Sequence, residues 1–119
     1  TDGSTASLAG YRRNVEQILT LIADTGAKVI VTTVPPTRTS APLESGMVPV
    51  WEWSAFNEIL RDITTRHGIL LNDMEHTLIT ELDRVIDVFD HVHLSAYGQR
   101  LMAQSVYAAL KKLLANKEV

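Results

Sequence analysis

The sequence predicts an α/β layered fold built on a parallel sheet. Three observations lead there. Apolar residues recur at helical spacing in three separate stretches. Two short runs rich in β-branched or aliphatic residues stand between them. Strand and helix patterns alternate along the chain, the order that parallel strands with crossover helices require.

The first helix begins near Ser7. Tyr11, Val15, Ile18 and Ile22 recur at its spacing, Leu19 widens the stripe, and Arg12, Arg13, Glu16 and Gln17 fill the other side. Asp24-Thr25-Gly26 supplies a stop, with Gly26 free to turn left-handed. Ala27 to Val34 is nearly continuous and β-branched, which predicts a strand buried on both faces. Pro35-Pro36 ends it, because proline cannot donate to a ladder. Residues 37–50, broken by Pro42, Gly46 and Pro49, form a long surface loop with Trp51 and Trp53 at its end.

Ser54 is the expected cap of a second helix, with Phe56, Ile59, Leu60 and Ile63 on its apolar face and Gly68 at its stop. Residues 69–74 read as a short strand and a turn, and 75–84 as one irregular helix. Val85 to Phe89 is a strand or an extended loop. Ser95 caps the last helix, where Met102, Val106, Ala109 and Leu113 form a stripe beside Leu101, Leu110 and Leu114. Lys111, Lys112 and Lys117 suit the negative pole at its end. Two strands make a poor sheet, so the chain, residues 1–119, is expected to be incomplete, one part of a larger domain.

The balance of charges excludes some functions. Lys and Arg number 11 against 14 Asp and Glu, a net charge of −3. Phosphate-backbone binding needs clustered cations, so no nucleic-acid partner is expected. The pairs Arg12-Arg13 and Lys111-Lys112 read as solvated helix faces. The absence of cysteine excludes disulfides, thiolate metal sites and a cysteine nucleophile. No apolar run reaches the length of a membrane span. Met47, Met74 and Met102 read as packing residues.

The chemistry concentrates in Asp87-Val88-Phe89-Asp90-His91-Val92-His93. Asp90 lies three residues before His93, close enough to meet it across a tight turn. Its carboxylate would accept the Nδ1 proton and leave Nε2 as a general base. The same two residues also suit a simple hydrogen-bonded helix entry. His91-Val92-His93 would put both imidazoles on one face of a strand, where with Asp87 or Asp90 they could bind zinc. His67 reads as a surface histidine at a helix end, and His76 has no evident partner. Trp51 and Trp53 either line an acyl or sugar pocket or anchor the long loop.

The segment Asp90-His91-Val92-His93-Leu94-Ser95-Ala96-Tyr97-Gly98 resembles the last sequence block of the SGNH, or GDSL-type, serine hydrolases. That block is Asp-x-x-His followed by a helix containing a glycine, and Asp90, His93, Ser95 and Gly98 match it in order. Gly26 to Pro36 resembles the family's fourth strand with its Pro-rich turn, and residues 69–74 the strand before the final block.

The resemblance implies a three-layer, flavodoxin-like parallel sheet with helices on both faces. It also implies an esterase that works through an acyl-enzyme without metal or organic cofactor. His93 would be general base and then general acid, and Asp90 would orient it. The substrate would be a small ester, with carbohydrate deacetylation suggested by the two tryptophans. The chain departs from the family in having no Gly-Asp-Ser block and no Gly-x-Asn-Asp block; only Thr1-Asp2-Gly3 approaches the latter. The nucleophile and oxyanion donors are therefore expected in an N-terminal half or on another chain. Two other readings stay open: a metal-dependent hydrolase using His91 and His93, and a non-catalytic α/β fragment or interaction module.

Overall fold

A computed structural model describes residues 8–36, 53–86 and 93–115. The elements in order are α1 (Leu8–Ala23), β1 (Ile30–Thr32), α2 (Trp53–His67), β2 (Leu70–Asn72), α3 (Met74–Ile79), α4 (Leu82–Val85) and α5 (Ala96–Ala115). β1 and β2 pair in parallel, with Ile30 opposite Leu70, Val31 opposite Leu71 and Thr32 opposite Asn72. The fold is α/β, with a two-stranded parallel sheet and mostly helices around it.

The local stops fall where glycine permits them. Gly26 and Gly68 adopt φ of 79° and 65°, the left-handed region that ends α1 and α2. Ser95 caps α5 as expected: its Oγ accepts the Gly98 N–H at 3.1 Å. α2 begins at Trp53, one residue before the expected cap Ser54. The turn expected at residues 73–74 is a helix entry. Asp73 accepts the His76 N–H and caps α3, the same side-chain-to-backbone chemistry that makes an Asx turn. The irregular helix expected over 75–84 is two short helices, α3 and α4, broken at Thr80-Glu81. Val85 closes α4 and Ile86 forms an antiparallel bridge with Leu94; the rest of the segment expected as a strand or extended loop, 87–89, lies outside the described residues.

Burial shows where the core lies. Ile63, Met74, Leu78 and Val85 are fully buried, with Ile86 almost so. Leu82, Leu94, Tyr97, Leu101 and Met102 pack against the cluster of Met74, Leu78, Val85 and Ile86. The apolar face expected for α2 is correct at Ile59, Leu60 and Ile63. Met74 and Met102 are packing residues, as expected; Met47 lies outside the described residues.

Three burial expectations fail for one reason. β1 is half-buried with Thr32 exposed, not buried on both faces. α1 has no buried residue, and Ile18 is exposed. On α5, Val106, Leu110 and Leu114 are exposed, while Gly98 and Ala109 are buried. Hydrophobic periodicity marks which faces can be covered, but coverage needs a neighbour, and the described residues supply one on one flank only.

An aromatic contact and an ion pair help hold α1 to α2. The rings of Tyr11 and Phe56 meet at 4.7 Å, and burial pushes the Tyr11 hydroxyl pKa up. Arg12 reaches Asp62 at 2.7 Å, so it is not the freely solvated cation expected from Arg12-Arg13.

Gly98 has a packing role that Asp-x-x-His spacing alone does not show. A Cβ at this position would collide with the Val85 carbonyl oxygen and meet the Val85 Cβ at 3.0 Å. That carbonyl is already fixed, accepting the Ser95 N–H at 2.7 Å. Backbone cannot retreat as a flexible side chain can. Gly98→Ala is expected to destabilise the fold by about 1–3 kcal/mol, read as a lower urea midpoint at unchanged m-value.

Candidate active site

α5 runs opposite to the strands. Its Ser105 hydroxyl bonds to Asn72 at the end of β2, while Leu113, further along, shares a cavity with Val29 and Leu70. Ala96 is nine residues before Ser105, so the start of α5 extends roughly 14 Å past the carboxyl ends of the strands. Ligand crevices of open α/β sheets lie on that side.

Residues 87–92, which carry Asp90 of the predicted acid–base pair, lie between Ile86 and Leu94 and outside the described residues. Several contacts fasten the described residues on either side. Ile86 and Leu94 form the antiparallel bridge, and the Ser95 N–H donates to Val85. The Ser95 hydroxyl donates to the Arg84 carbonyl at 2.6 Å and accepts from Gly98. One serine thus caps α5 and fastens α4 to its start. Arg84 lies 4.2 Å over the Tyr97 ring and pairs with Glu81 at 2.7 Å, and the Tyr97 hydroxyl donates to the same carboxylate. These contacts hold the end of α4 to the start of α5.

His93 sits in the bend just before Leu94 and is exposed. Asp87, Asp90 and His91 lie outside the described residues, as does Trp51. Trp53 is the first residue of α2, and its side chain is outside what the structure describes. His67 ends α2 at the surface, as expected, with Nε2 3.8 Å from Glu16. His76 is exposed on α3, and its backbone N–H donates to Asp73. Among the described residues no group of three or more His, Asp or Glu could hold a metal ion. No helix among them is long and apolar enough to cross a membrane.

Sequence reading missed a polar network at the carboxyl ends of both strands. Asn57, fully buried on α2, grips the backbone of Val34 from two sides. Its Oδ1 accepts the Val34 N–H at 2.7 Å and its Nδ2 donates to the Val34 carbonyl at 2.9 Å. Arg61, one turn later, donates through Nε and Nη2 to both Asp73 oxygens at 2.8 and 2.9 Å, and through Nη2 to Glu75 at 2.8 Å. The Thr33 hydroxyl donates to Asp73 and accepts the Glu75 N–H. Strand end, crossover helix and α3 entry are thereby locked together.

The electrostatics agree with the geometry. The Arg61 guanidinium is the main cause holding the Asp73 carboxyl below its usual range, and the same contacts raise Arg61. The available signal was Asn57 itself, a polar residue between Phe56 and Ile59-Leu60 on an otherwise apolar face. A polar group placed there must find partners or lose its hydrogen bonds to water.

This α/β architecture has a counterpart among solved structures. The chain is similar to the esterase domain of the ZfL2-1 ORF1 protein from the zebrafish ZfL2-1 retrotransposon. The TM-score is 0.72 at 18% identity, over 89% of this chain and 64% of that one. The chain therefore spans about two thirds of that domain's length, and the likeness is one of fold. No protein-family model and no curated protein matches the sequence.

Proposed function

We propose that residues 1–119 are the C-terminal portion of an SGNH-type serine esterase, a three-layer, flavodoxin-like domain with helices on both faces of its sheet. The observation that carries this is the esterase-like fold, with His93 immediately before α5 on the carboxyl-end side of the strands. A serine supplied by the remaining part of the domain attacks a small ester's carbonyl. His93 Nε2 takes the serine proton and then gives it to the departing alkoxide. Water, deprotonated by His93, releases the acid from the acyl-enzyme. Asp90 accepts the Nδ1 proton and stabilises the imidazolium. Trp51 and Trp53 line the acyl or sugar side of the crevice, which favours carbohydrate acetyl esters. No metal or cofactor takes part.

Support for the pairing of Asp90 with His93 is their Asp-x-x-His spacing just before the capped start of α5. The test is assay of the complete protein against p-nitrophenyl acetate and an acetylated sugar. A fluorophosphonate probe should inactivate it and leave one labelled serine, while EDTA should leave activity unchanged. Inactivation by EDTA with no fluorophosphonate labelling would replace this reading with the metal-dependent one through His91 and His93.

A further inference from the structure

We infer that the cleft between β2 and α5 binds a small aliphatic carboxylate. The cleft has a volume of about 400 Å³, within the range of small-molecule sites. Leu70, Leu71 and Asn72 of β2 line one side of it and α5 lines the other. No residue of β1 lines it, and neither does His93 nor the Ile86–Leu94 bridge. The site is therefore distinct from the one proposed for ester hydrolysis.

The observation that points to a ligand is an orphaned amide. Asn72 is only 7% exposed. Its Oδ1 accepts the Ser105 hydroxyl, but its Nδ2 is buried with no hydrogen-bond partner. Among the described residues no other side-chain nitrogen or oxygen is left in this state. Folded proteins pair nearly all such groups. An unpaired buried donor therefore gains most from an acceptor that a ligand brings.

The rest of the lining specifies the ligand's chemistry. The Asn72 amide asks for an acceptor oxygen. Gln104 adds a second amide and Lys112 a positive charge. No acidic side chain lines the cleft, so a single carboxylate meets attraction without repulsion. Leu70, Leu71, Leu101 and Ala108 cover much of the remainder. They suit an alkyl chain and disfavour a heavily hydrated anion such as phosphate, which would lose its water there without repayment. Gln104 and Lys112 are both exposed. As long, rotatable side chains they can swing aside, admit the carboxylate against Asn72 and close over it.

The test is calorimetric titration of the complete protein with hexanoate and with its neutral counterpart hexanamide. Hexanoate should bind saturably, and hexanamide about tenfold more weakly or worse, the difference a charge-assisted hydrogen bond makes. Lys112→Glu should weaken hexanoate by a similar factor. Lys111→Glu should leave it unchanged, because Lys111 lies over the Tyr107 ring and does not line the cleft. A crystal structure of the complex should place a carboxylate oxygen within about 3.2 Å of Asn72 Nδ2. Absence of saturable binding overturns the inference. So do equal affinities for acid and amide, equal losses from the two lysine variants, or an Nδ2 bonded to water alone in the complex. Hexanoate held instead at the proposed catalytic site would be indifferent to Lys112→Glu, and none of these measurements reads ester hydrolysis. This inference and the proposed function can therefore fail separately.

Discussion

Replacing His93 with alanine in the complete protein is expected to lower kcat/KM for ester hydrolysis by roughly 10⁴-fold or more, the loss typical of removing a triad base. His91→Ala should cost far less, within about tenfold, because the Asp-x-x-His arrangement assigns it no proton. The contrast matters more than either value. In the proposed mechanism only His93 stands three residues after Asp90 and immediately before the fastened start of α5. A metal site would need both imidazoles, so equal losses would favour metal. Asp90→Asn should follow His93→Ala in direction, since the amide would hold the wrong tautomer.

The second large effect concerns stability. Arg61→Ala removes the partner of two carboxylates whose side chains are 28% and 16% exposed, those of Asp73 and Glu75. Breaking a fully buried pair costs about 3–5 kcal/mol. Partial exposure here reduces the expectation to about 2–3 kcal/mol, read from urea denaturation. Arg61→Lys should recover little, because a single ammonium cannot reproduce the two-point contact with Asp73.

The same network sets an acid limit. Asp73 has a lowered pKa in the fold, against an ordinary value of 3.8. In acid the unfolded chain binds the proton more readily than the folded one. The contribution is therefore complete above the ordinary carboxylate value and is lost as pH falls through the lowered one. Wild type should lose more stability across that window than Arg61→Ala does.

Local chemistry was the legible part of this fold. The ends of α1 and α2 follow from Gly26 and Gly68, and the start of α5 from Ser95, each decided within a few residues. What depended on distant partners was not legible. Asp73 offers the same oxygen to a turn or to a helix, and packing of Met74 and Leu78 into the core selects the helix. Val106, Leu110 and Leu114 carry the periodicity of a buried stripe but lack a described neighbour. Asn57 and Arg61 are unremarkable on a helical wheel until Val34, Asp73 and Glu75 converge on them from other elements.

Of the candidate site, the capped helix that follows it was legible: Ser95 caps α5, which starts beyond the carboxyl ends of the strands. The pairing of Asp90 with His93 rests on the sequence, since Asp90 lies outside the described residues. Trp51 and Trp53 are related to the site by sequence alone.

The most direct measurement is the distance from His93 Nε2 to the nearest serine Oγ in a crystal structure of the complete, assembled protein. The proposed mechanism predicts one such hydroxyl at about 2.6–3.2 Å, with Asp90 on the opposite ring nitrogen. A completed sheet with no serine hydroxyl within reach of His93 would contradict it.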